Sequence, residues 1–149
     1  MKKSEAIEAF LAQPALAVVG VSRSPRKFGT SACRALKEKG YRVYPIHRSA
    51  AQIDGMTCYL RLADLPERVG GVLVVVRPWD AIEVIYDAAA NGIRRVWLQQ
   101  GAESLQALQI CDQLGLDVVS GECILMFAQP KGIHKVHQFV RRVLGTLPA

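Results

Sequence analysis

Three cationic side chains follow a short apolar run near the start of the chain. The run 16–19 ends at Gly20, and the polar loop 21–29 after it carries Arg23, Arg26 and Lys27. A helix-compatible segment, 30–39, comes next. Backbone N–H groups of such a loop and of a first helical turn bind anions, and arginine and lysine add charge-assisted hydrogen bonds to phosphate oxygens. The arrangement therefore predicts a phosphate-binding loop.

This loop departs from both glycine-rich nucleotide motifs. A dinucleotide fingerprint requires a second glycine two residues after the first, and Ser22 stands at that place. The G-x-x-x-x-G-K-[ST] pattern of a Walker loop does not occur either. An ordinary turn between a strand and a helix is therefore the alternative interpretation. The three loop cations favour phosphate binding over it.

A second pair of polar residues, His47 and Arg48, follows the predicted second strand, 41–46. NAD-binding folds carry an acidic residue near this place, where it binds the ribose hydroxyl groups. Cations suit a phosphate on the ribose instead, as in NADP or coenzyme A (CoA). A solvated loop is the alternative, and the sequence does not decide between the two.

Polar side chains also follow the three later apolar runs, which we interpret as strands. They are Arg77 after 72–76, Gln99 after 96–98 and Cys123 after 117–119. In open α/β sheets, ligands bind outside the carboxyl ends of the strands. The sequence therefore predicts one crevice beside the first strand, bordered by the loops that hold Ser22, His47, Arg77 and Gln99.

The elements that must position these residues alternate along the chain. Strands are predicted at 15–19, 41–46, 72–76, 96–98 and 117–119, and helices at 4–11, 30–39, 78–90, 104–114 and 132–144. This alternation indicates a parallel sheet with right-handed crossovers. We predict an α/β fold, a Rossmann-like three-layer sandwich with a five-stranded, mainly parallel sheet and an extra C-terminal helix. It is expected to form a single domain, 1–149, with a core, 1–128, and a helical extension, 129–149.

Helical periodicity predicts which side chains face the sheet. In the helix that starts at residue 78 they are Ile82, Ile85, Tyr86 and Ala89, and in 104–114 they are Leu105, Leu108, Cys111 and Leu114. Residues 49–70 are expected to be loop-like, with a turn at Asp54-Gly55. Pro45 is expected to be tolerated only because it lies near the end of its strand.

Composition and charge narrow the class of protein. The chain has 149 residues and a net charge of +6, and eight basic residues against one acidic residue lie within 21–48. The apolar runs are too short to span a bilayer, and the first ten residues lack the apolar stretch of a signal peptide. The four cysteines have no metal-binding spacing. We expect a cytoplasmic protein without a bound metal, in which Cys33, Cys58 and Cys111 are buried and reduced.

Several short patterns occur together in a characteristic order. They are Ala-Val-Val-Gly-x-Ser at 17–22 with Pro25 and Lys27 after it, Gly-Tyr-x-Val-x-Pro at 40–45, Arg77-Pro78 after an apolar strand, Val-Trp-Leu-Gln-x-Gly at 96–101, and Cys123-Ile124. In these patterns the chain resembles the small bacterial CoA-binding proteins with a Rossmann-like domain. These are related in fold to the CoA-binding domain of the succinyl-CoA synthetase α-subunit. The resemblance covers roughly residues 5–127.

The resemblance implies a fold and a ligand rather than a reaction. It implies that the loop after the first strand holds CoA phosphates and that the adenine lies near the ends of the neighbouring strands. The expected binding residues are Gly20, Val21, Ser22, Arg23, Ser24, Lys27, Phe28, Gly29, Pro45, His47, Arg48, Val76, Arg77, Gln99, Gly101 and Cys123. The chain departs from the family at His47-Arg48, where Asn-Pro is usual, and from Gln129 onward, where no counterpart can be placed.

Three functions are compatible with these features. Non-catalytic binding of CoA or an acyl-CoA is the first, and an NADP-binding oxidoreductase or redox sensor is the alternative. Nucleic-acid binding is suggested only by the basic net charge, since no recognition motif is present. Catalysis needs a placed nucleophile or acid–base pair, for which Cys123 is the one candidate, and a packed cysteine is the alternative. We expect a small nucleotide as ligand, no nucleic acid or membrane partner, and leave a homo-oligomer open.

Overall fold

The computed structural model describes residues 1–128. In this part of the chain the helices are α1 (Lys3–Leu11), α2 (Phe28–Glu38), α3 (Pro78–Ala90) and α4 (Leu105–Gln113). The strands are β1 (Ala15–Val19), β2 (Arg42–Ile46), β3 (Gln52–Ile53), β4 (Met56–Thr57), β5 (Gly71–Val74), β6 (Arg95–Leu98) and β7 (Asp117–Ser120). The predicted helix 132–144 and the extension 129–149 lie outside the described residues.

The main sheet has five parallel strands in the order β2-β1-β5-β6-β7. Strand β1 pairs with β2 on one side and with β5 on the other, so that Val19 lies opposite both Ile46 and Val74. After β1 the chain first builds outward to β2, then crosses over β1 and builds outward in the other direction. The predicted five-stranded α/β fold is confirmed, and every pairing in its main sheet is parallel.

Helices cover both faces of this sheet. Alternate strand residues, such as Leu16 and Val18, pack against α1 and α2, and the residues between them pack against α3 and α4. Because both faces are covered, the central strands are apolar throughout rather than alternating with polar residues. All four residues of β5 are buried, and so are Val96, Trp97 and Leu98 of β6. This buried sheet is the rigid base from which the loops at its carboxyl edge project.

The expected loop after β2 is corrected. The segment 49–70 contains a small antiparallel hairpin, in which β3 pairs with β4 across the Asp54-Gly55 turn that the sequence indicated. Pro45 lies near the end of its strand, as predicted, because it is the fourth of five residues in β2, and β2 is also an edge strand. Alternate residues of a parallel strand point their backbone groups to opposite sides, and Pro45 lacks an N–H on the outer side.

The predicted inner faces of α3 and α4 are partly wrong. Tyr86 is 50% exposed and Leu105 is 74% exposed. Ile85 and Cys111 are fully buried, as predicted, and the other fully buried positions are three alanines, Ala81, Ala88 and Ala107. The two helices pack beside each other on one face of the sheet, and small residues on the buried side allow their close approach.

The first three cysteines are buried, as predicted, and all four are free thiols. Burial is the largest cause that raises the pKa of Cys33, to about 12, with smaller contributions from Cys58 and Asp54. Burial also raises the pKa of Cys111, to about 11. These two thiols therefore stay protonated at neutral pH and pack as small apolar side chains. None of the helices within residues 1–128 has the length and apolar character needed to cross a membrane.

Candidate functional site

Strands are added on opposite sides of β1, first β2 and then β5, so the loops after β1 and β5 separate at the carboxyl edge of the sheet. The loop after β1 leads to α2 on one face, whereas the loop after β5 leads to α3 on the opposite face. The two loops separate only after the N–H of Val75 has donated to the carbonyl oxygen of Val19 at 2.7 Å. Open α/β sheets bind their ligands at such a point. The predicted crevice beside the first strand therefore has a structural basis.

Two glycines allow the backbone to pack closely at the base of this crevice. Gly20 has a φ of +114°, and a Cβ at this position would overlap the carbonyl oxygen of Val75. A Cβ on Gly29, in the first turn of α2, would overlap the carbonyl oxygen of Gly20. The first turn of α2 therefore contacts the backbone of the residue that follows β1. Any larger residue at either position would push the loop out of place.

A threonine that the sequence interpretation missed fixes the conformation of the loop. The buried hydroxyl of Thr30 accepts a hydrogen bond from the N–H of Ser22 at 3.0 Å and donates one to the carbonyl oxygen of Ser22 at 2.6 Å. The Ser22 hydroxyl in turn accepts from the N–H of Ser24 at 3.1 Å. A hydroxyl group that both accepts and donates across eight residues closes the loop into one hydrogen-bonded unit. The only signal for these hydrogen bonds in the sequence is a threonine in the first turn of a helix.

The cations of the loop lie on its outer side. Arg23, Arg26 and Lys27 are all exposed. Helix α2 begins at Phe28, two residues earlier than the start predicted at residue 30, so Gly29 belongs to its first turn. The N–H groups of a first helical turn have no partners within the helix, and the helix dipole favours an anion there. The loop thus combines positive side chains with backbone donors.

The loop after β2 lies close to this phosphate-loop candidate. The guanidinium of Arg23 donates to the Ser49 hydroxyl at 3.3 Å and joins the two loops. The Nδ1 atom of His47 accepts hydrogen bonds from the N–H groups of Ser49, at 3.1 Å, and Ala50, at 2.9 Å. Burial, followed by the positive charges of Arg23 and Arg48, lowers the pKa of His47. His47 is therefore a neutral acceptor that shapes its own loop, and the positive charge here comes from the two arginines.

Gln99, after β6, is almost completely buried and holds the neighbouring segment. Its Oε1 atom accepts from the N–H of Ile124 at 3.1 Å, and its carbonyl oxygen accepts from the N–H of Ala102 at 2.8 Å. Trp97 adds a second link, because its indole N–H donates to the carbonyl oxygen of Glu122 at 3.0 Å. Both links fix the half-buried Cys123 at the end of β7. The end of β6 and the short loop that ends at Gly101 are thus hydrogen-bonded to the segment after β7.

The first turn of α3, after β5, carries an aromatic residue that the sequence interpretation also missed, Trp79. Val76 is half-buried, and the exposed Arg77 is the residue before the first turn of α3. Its guanidinium carbon lies 5.6 Å from the centre of the Trp79 ring. Trp79 is 66% exposed.

The predicted binding residues all lie at the carboxyl edge, but they are not all equally close to β1. Gly20 contacts Val75 after β5, and Arg23 contacts Ser49 after β2, whereas Gly29 and Ser22 make their contacts within the segment between β1 and α2. Cys123 follows β7, which is the third strand from β1 in the sheet. At a strand spacing of about 4.8 Å, this places it roughly 14 Å from the end of β1. Pro45 is buried within β2, opposite Val18 of β1.

Comparison with known proteins decides the family. The sequence profile of the CoA-binding domain matches residues 15–129, which include all five strands of the main sheet and every predicted binding residue. The chain belongs to this family. The resemblance identified from the sequence patterns is thereby confirmed, including the relationship to the CoA-binding domain of the succinyl-CoA synthetase α-subunit.

Individual relatives of this CoA-binding domain include short proteins and parts of larger enzymes. A conserved hypothetical protein from Pyrococcus furiosus is 32% identical, with a TM-score of 0.71 over 74% of this chain and 96% of its own. The dinucleotide-forming acetyl-coenzyme A synthetase 1 of Ca. Korarchaeum cryptofilum is 29% identical, with a TM-score of 0.63 over 70% of this chain and 25% of its own. The α-subunit of the ADP-forming acetate–CoA ligase II from P. furiosus is 22% identical over 120 residues, which are 73% of this chain. The chain spans only 26% of that subunit.

Proposed function

We propose that this domain binds CoA or an acyl-CoA without transforming it. The observation that carries the proposal is the closed loop between β1 and α2, in which Gly20 and Gly29 touch through backbone atoms and Thr30 holds Ser22. Such a loop is held in one conformation before the ligand arrives, which lowers the ordering cost of binding. Family membership supports CoA as the nucleotide.

Charge supports the same ligand. CoA carries a diphosphate and a ribose phosphate, which are strongly anionic. Arg23, Lys27, Arg48 and Arg77 all lie at the carboxyl edge, and none of them takes part in an ion pair within residues 1–128. Exposed cations without carboxylate partners are available to phosphate. In this proposal Arg23 and Lys27 meet phosphates at the β1 loop, and Arg48 and Arg77 meet the ligand from the two neighbouring strands.

In this proposal the remaining predicted binding residues have supporting roles. Val21, Ser24, Phe28, Val76 and Gly101 contribute backbone or apolar contacts along the crevice. His47 and Gln99 support their loops, since their acceptor atoms are already occupied by backbone N–H groups. Cys123 borders the far end of the crevice, where the thiol end of the ligand could reach.

The same geometry supports a purely binding role. A thiol nucleophile needs a base near it to form thiolate at neutral pH. Cys123 follows β7, whereas His47 follows β2 at the opposite edge of the sheet. No acid–base pair is therefore formed between them. We expect acyl-CoA thioesters to be held without hydrolysis above background. Hydrolysis that a Cys123→Ser variant abolishes would refute the non-catalytic part of the proposal.

An NADP-binding oxidoreductase or redox sensor is the alternative function. Its main support was the predicted cationic pair after β2, and His47 is neutral there. The loop after β1 also has Ser22 at the position where a dinucleotide-binding fold has glycine. The titration that tests CoA tests this alternative directly.

The decisive experiment is calorimetric titration with CoA, NADP, NAD and ATP. We expect CoA to bind and NAD not to bind. Lys27→Ala should weaken CoA binding about 5- to 150-fold, which corresponds to the loss of one charge-assisted hydrogen bond of about 1–3 kcal/mol. Lys37→Ala is the matched control, because Lys37 is an exposed lysine in the last turn of the same helix. NADP binding without CoA binding would favour the oxidoreductase, and equal affinity in Lys27→Ala would remove Lys27 from the site.

A further inference from the structure

The two tryptophans of this chain have opposite environments. Trp97 is fully buried, packs edge-on against Phe10 at a ring distance of 5.4 Å, and donates its N–H to Glu122. Trp79 is 66% exposed. Burial of an indole contributes strongly to folding, so a tryptophan left in solvent is not explained by packing of the core. Contact with a ligand would explain the exposed position of Trp79.

Trp79 lies beside the crevice that the proposed function uses. Val75 touches Gly20 at the base of that crevice, and helix α3 begins three residues later at Pro78. Trp79 is thus in the first turn of α3, on the face of the sheet opposite α2. The phosphate-loop candidate and Trp79 therefore follow two strands that pair with each other, β1 and β5, and both lie at the carboxyl edge of the sheet.

Arg77 holds the indole and gives this surface a positive charge. Its guanidinium lies over the Trp79 ring at 5.6 Å, within the range of a cation–π contact. Arg77 has no ion pair within residues 1–128. The pair combines an open aromatic ring with a cation, and nucleotides combine a flat aromatic base with phosphate. Bases stack on exposed aromatic rings of this kind, and arginine strengthens the contact.

We propose that Trp79 is the stacking surface for the heterocyclic base of the bound nucleotide and that Arg77 positions its ring. This inference rests on the proposed function, because it requires a nucleotide in the crevice. It assigns the adenine end of CoA to α3, while the phosphates lie on the loop between β1 and α2. The pantetheine arm then extends along the edge toward β6 and β7.

The test compares two ligands that share the base. CoA and adenosine 3′,5′-bisphosphate, which lacks the pantetheine arm, are titrated calorimetrically into the intact chain and its variants. Trp79→Ala should weaken both ligands about tenfold, whereas Trp79→Phe should retain most of the affinity because it keeps a ring. Tyr86→Ala is the matched control, since Tyr86 is a half-exposed aromatic residue two turns further along α3. It should bind both ligands as the wild type does.

Intrinsic fluorescence supplies an independent signal. Stacking of a base should quench the emission of Trp79, and Trp97 should contribute a constant background because it is buried. Quenching by either ligand should therefore disappear in Trp79→Phe.

The outcomes separate the inference from the proposed function. Absence of CoA binding to the wild type would refute the proposed function and the inference with it. CoA binding with unchanged affinity in Trp79→Ala would overturn the inference alone. A loss for CoA without a loss for the bisphosphate would place Trp79 on the pantetheine arm and overturn it too. An equal loss in Tyr86→Ala would show that helix α3 as a whole is affected, which also contradicts stacking on Trp79.

Discussion

Thr30→Val is the sharpest test of how the loop between β1 and α2 is held. Valine has nearly the same shape as threonine but cannot hydrogen-bond, and Thr30 is fully buried, so the change removes the hydroxyl with little change in packing. The variant loses the bond that Thr30 accepts from the N–H of Ser22, at 3.0 Å, and the bond that it donates to the Ser22 carbonyl, at 2.6 Å. Two backbone groups of Ser22 are left without their partner.

The magnitude follows from these two bonds. A hydrogen bond contributes about 0.5–1.5 kcal/mol net, so two contribute about 1–3 kcal/mol. Ser22 is only half-buried, and water can replace part of what is lost, so we expect a decrease in the free energy of unfolding of about 2 kcal/mol. With a urea m-value of about 2 kcal/mol/M, the unfolding midpoint falls by about 1 M. The melting temperature falls by about 4–8 °C.

Urea unfolding followed by circular dichroism measures this effect, and titration with CoA measures its consequence for binding. Thr30→Ser keeps the hydroxyl and should lose much less stability than Thr30→Val. Ser31→Ala is the matched control in the next position, because the Ser31 hydroxyl makes a single exposed bond to the carbonyl oxygen of Pro25, at 3.1 Å. An unchanged midpoint in Thr30→Val, or an equal loss in Ser31→Ala, would refute the reasoning.

Two further predictions concern stability away from the crevice. Hydrogen bonds from Arg42 and Tyr44 lower the pKa of Glu67 from about 4.5 to about 2. A lowered carboxyl pKa stabilises the fold above the ordinary value, and this contribution is lost as the pH falls from about 4.5 toward 2. The stability difference between the wild type and Glu67→Gln, measured by urea unfolding from pH 6 to pH 2, should therefore shrink on acidification. A constant difference would contradict this. Ser104→Ala removes the hydroxyl that accepts from the N–H of Ala107 at 3.0 Å and begins α4, and should cost about 1 kcal/mol, whereas Ser104→Asp should restore it. A thermal melt that shows equal stability for all three proteins would contradict the assigned cap.

The parallel sheet could be predicted from the sequence because its strands are buried on both faces. A run such as 72–76, apolar at every position and followed by Arg77-Pro78, has few other interpretations. Glycine after the first strand and cations in the next loop indicated a ligand site, because these residues lie close together in the sequence. Each of these signals is contained within about ten consecutive residues.

The details that the sequence could not provide depend on contacts between distant elements. The hairpin of β3 and β4 has strands of two residues each, too short for a periodic pattern. The exposure of Tyr86 and Leu105 depends on how α3 and α4 pack beside each other. In that packing the alanines of the two helices face the sheet. The bonds between Thr30 and Ser22 exist only because two glycines bring a helix against a strand end. Helical periodicity predicts which apolar residues face the core, so it did not indicate that Trp79 is exposed.

The two edges of the main sheet differ in their capacity to accept another strand. At the outer side of β2, the carbonyl oxygen of Pro45 and the N–H of His47 are already bonded to Tyr59, and Pro45 has no N–H to offer. An incoming strand would find two bonds occupied and one donor missing, which is how natural edge strands resist association. Of the five strands described in this sheet, β7 is the other edge and carries no proline. Within residues 1–128, Pro45 therefore protects the β2 edge against strand addition, and β7 has no equivalent proline.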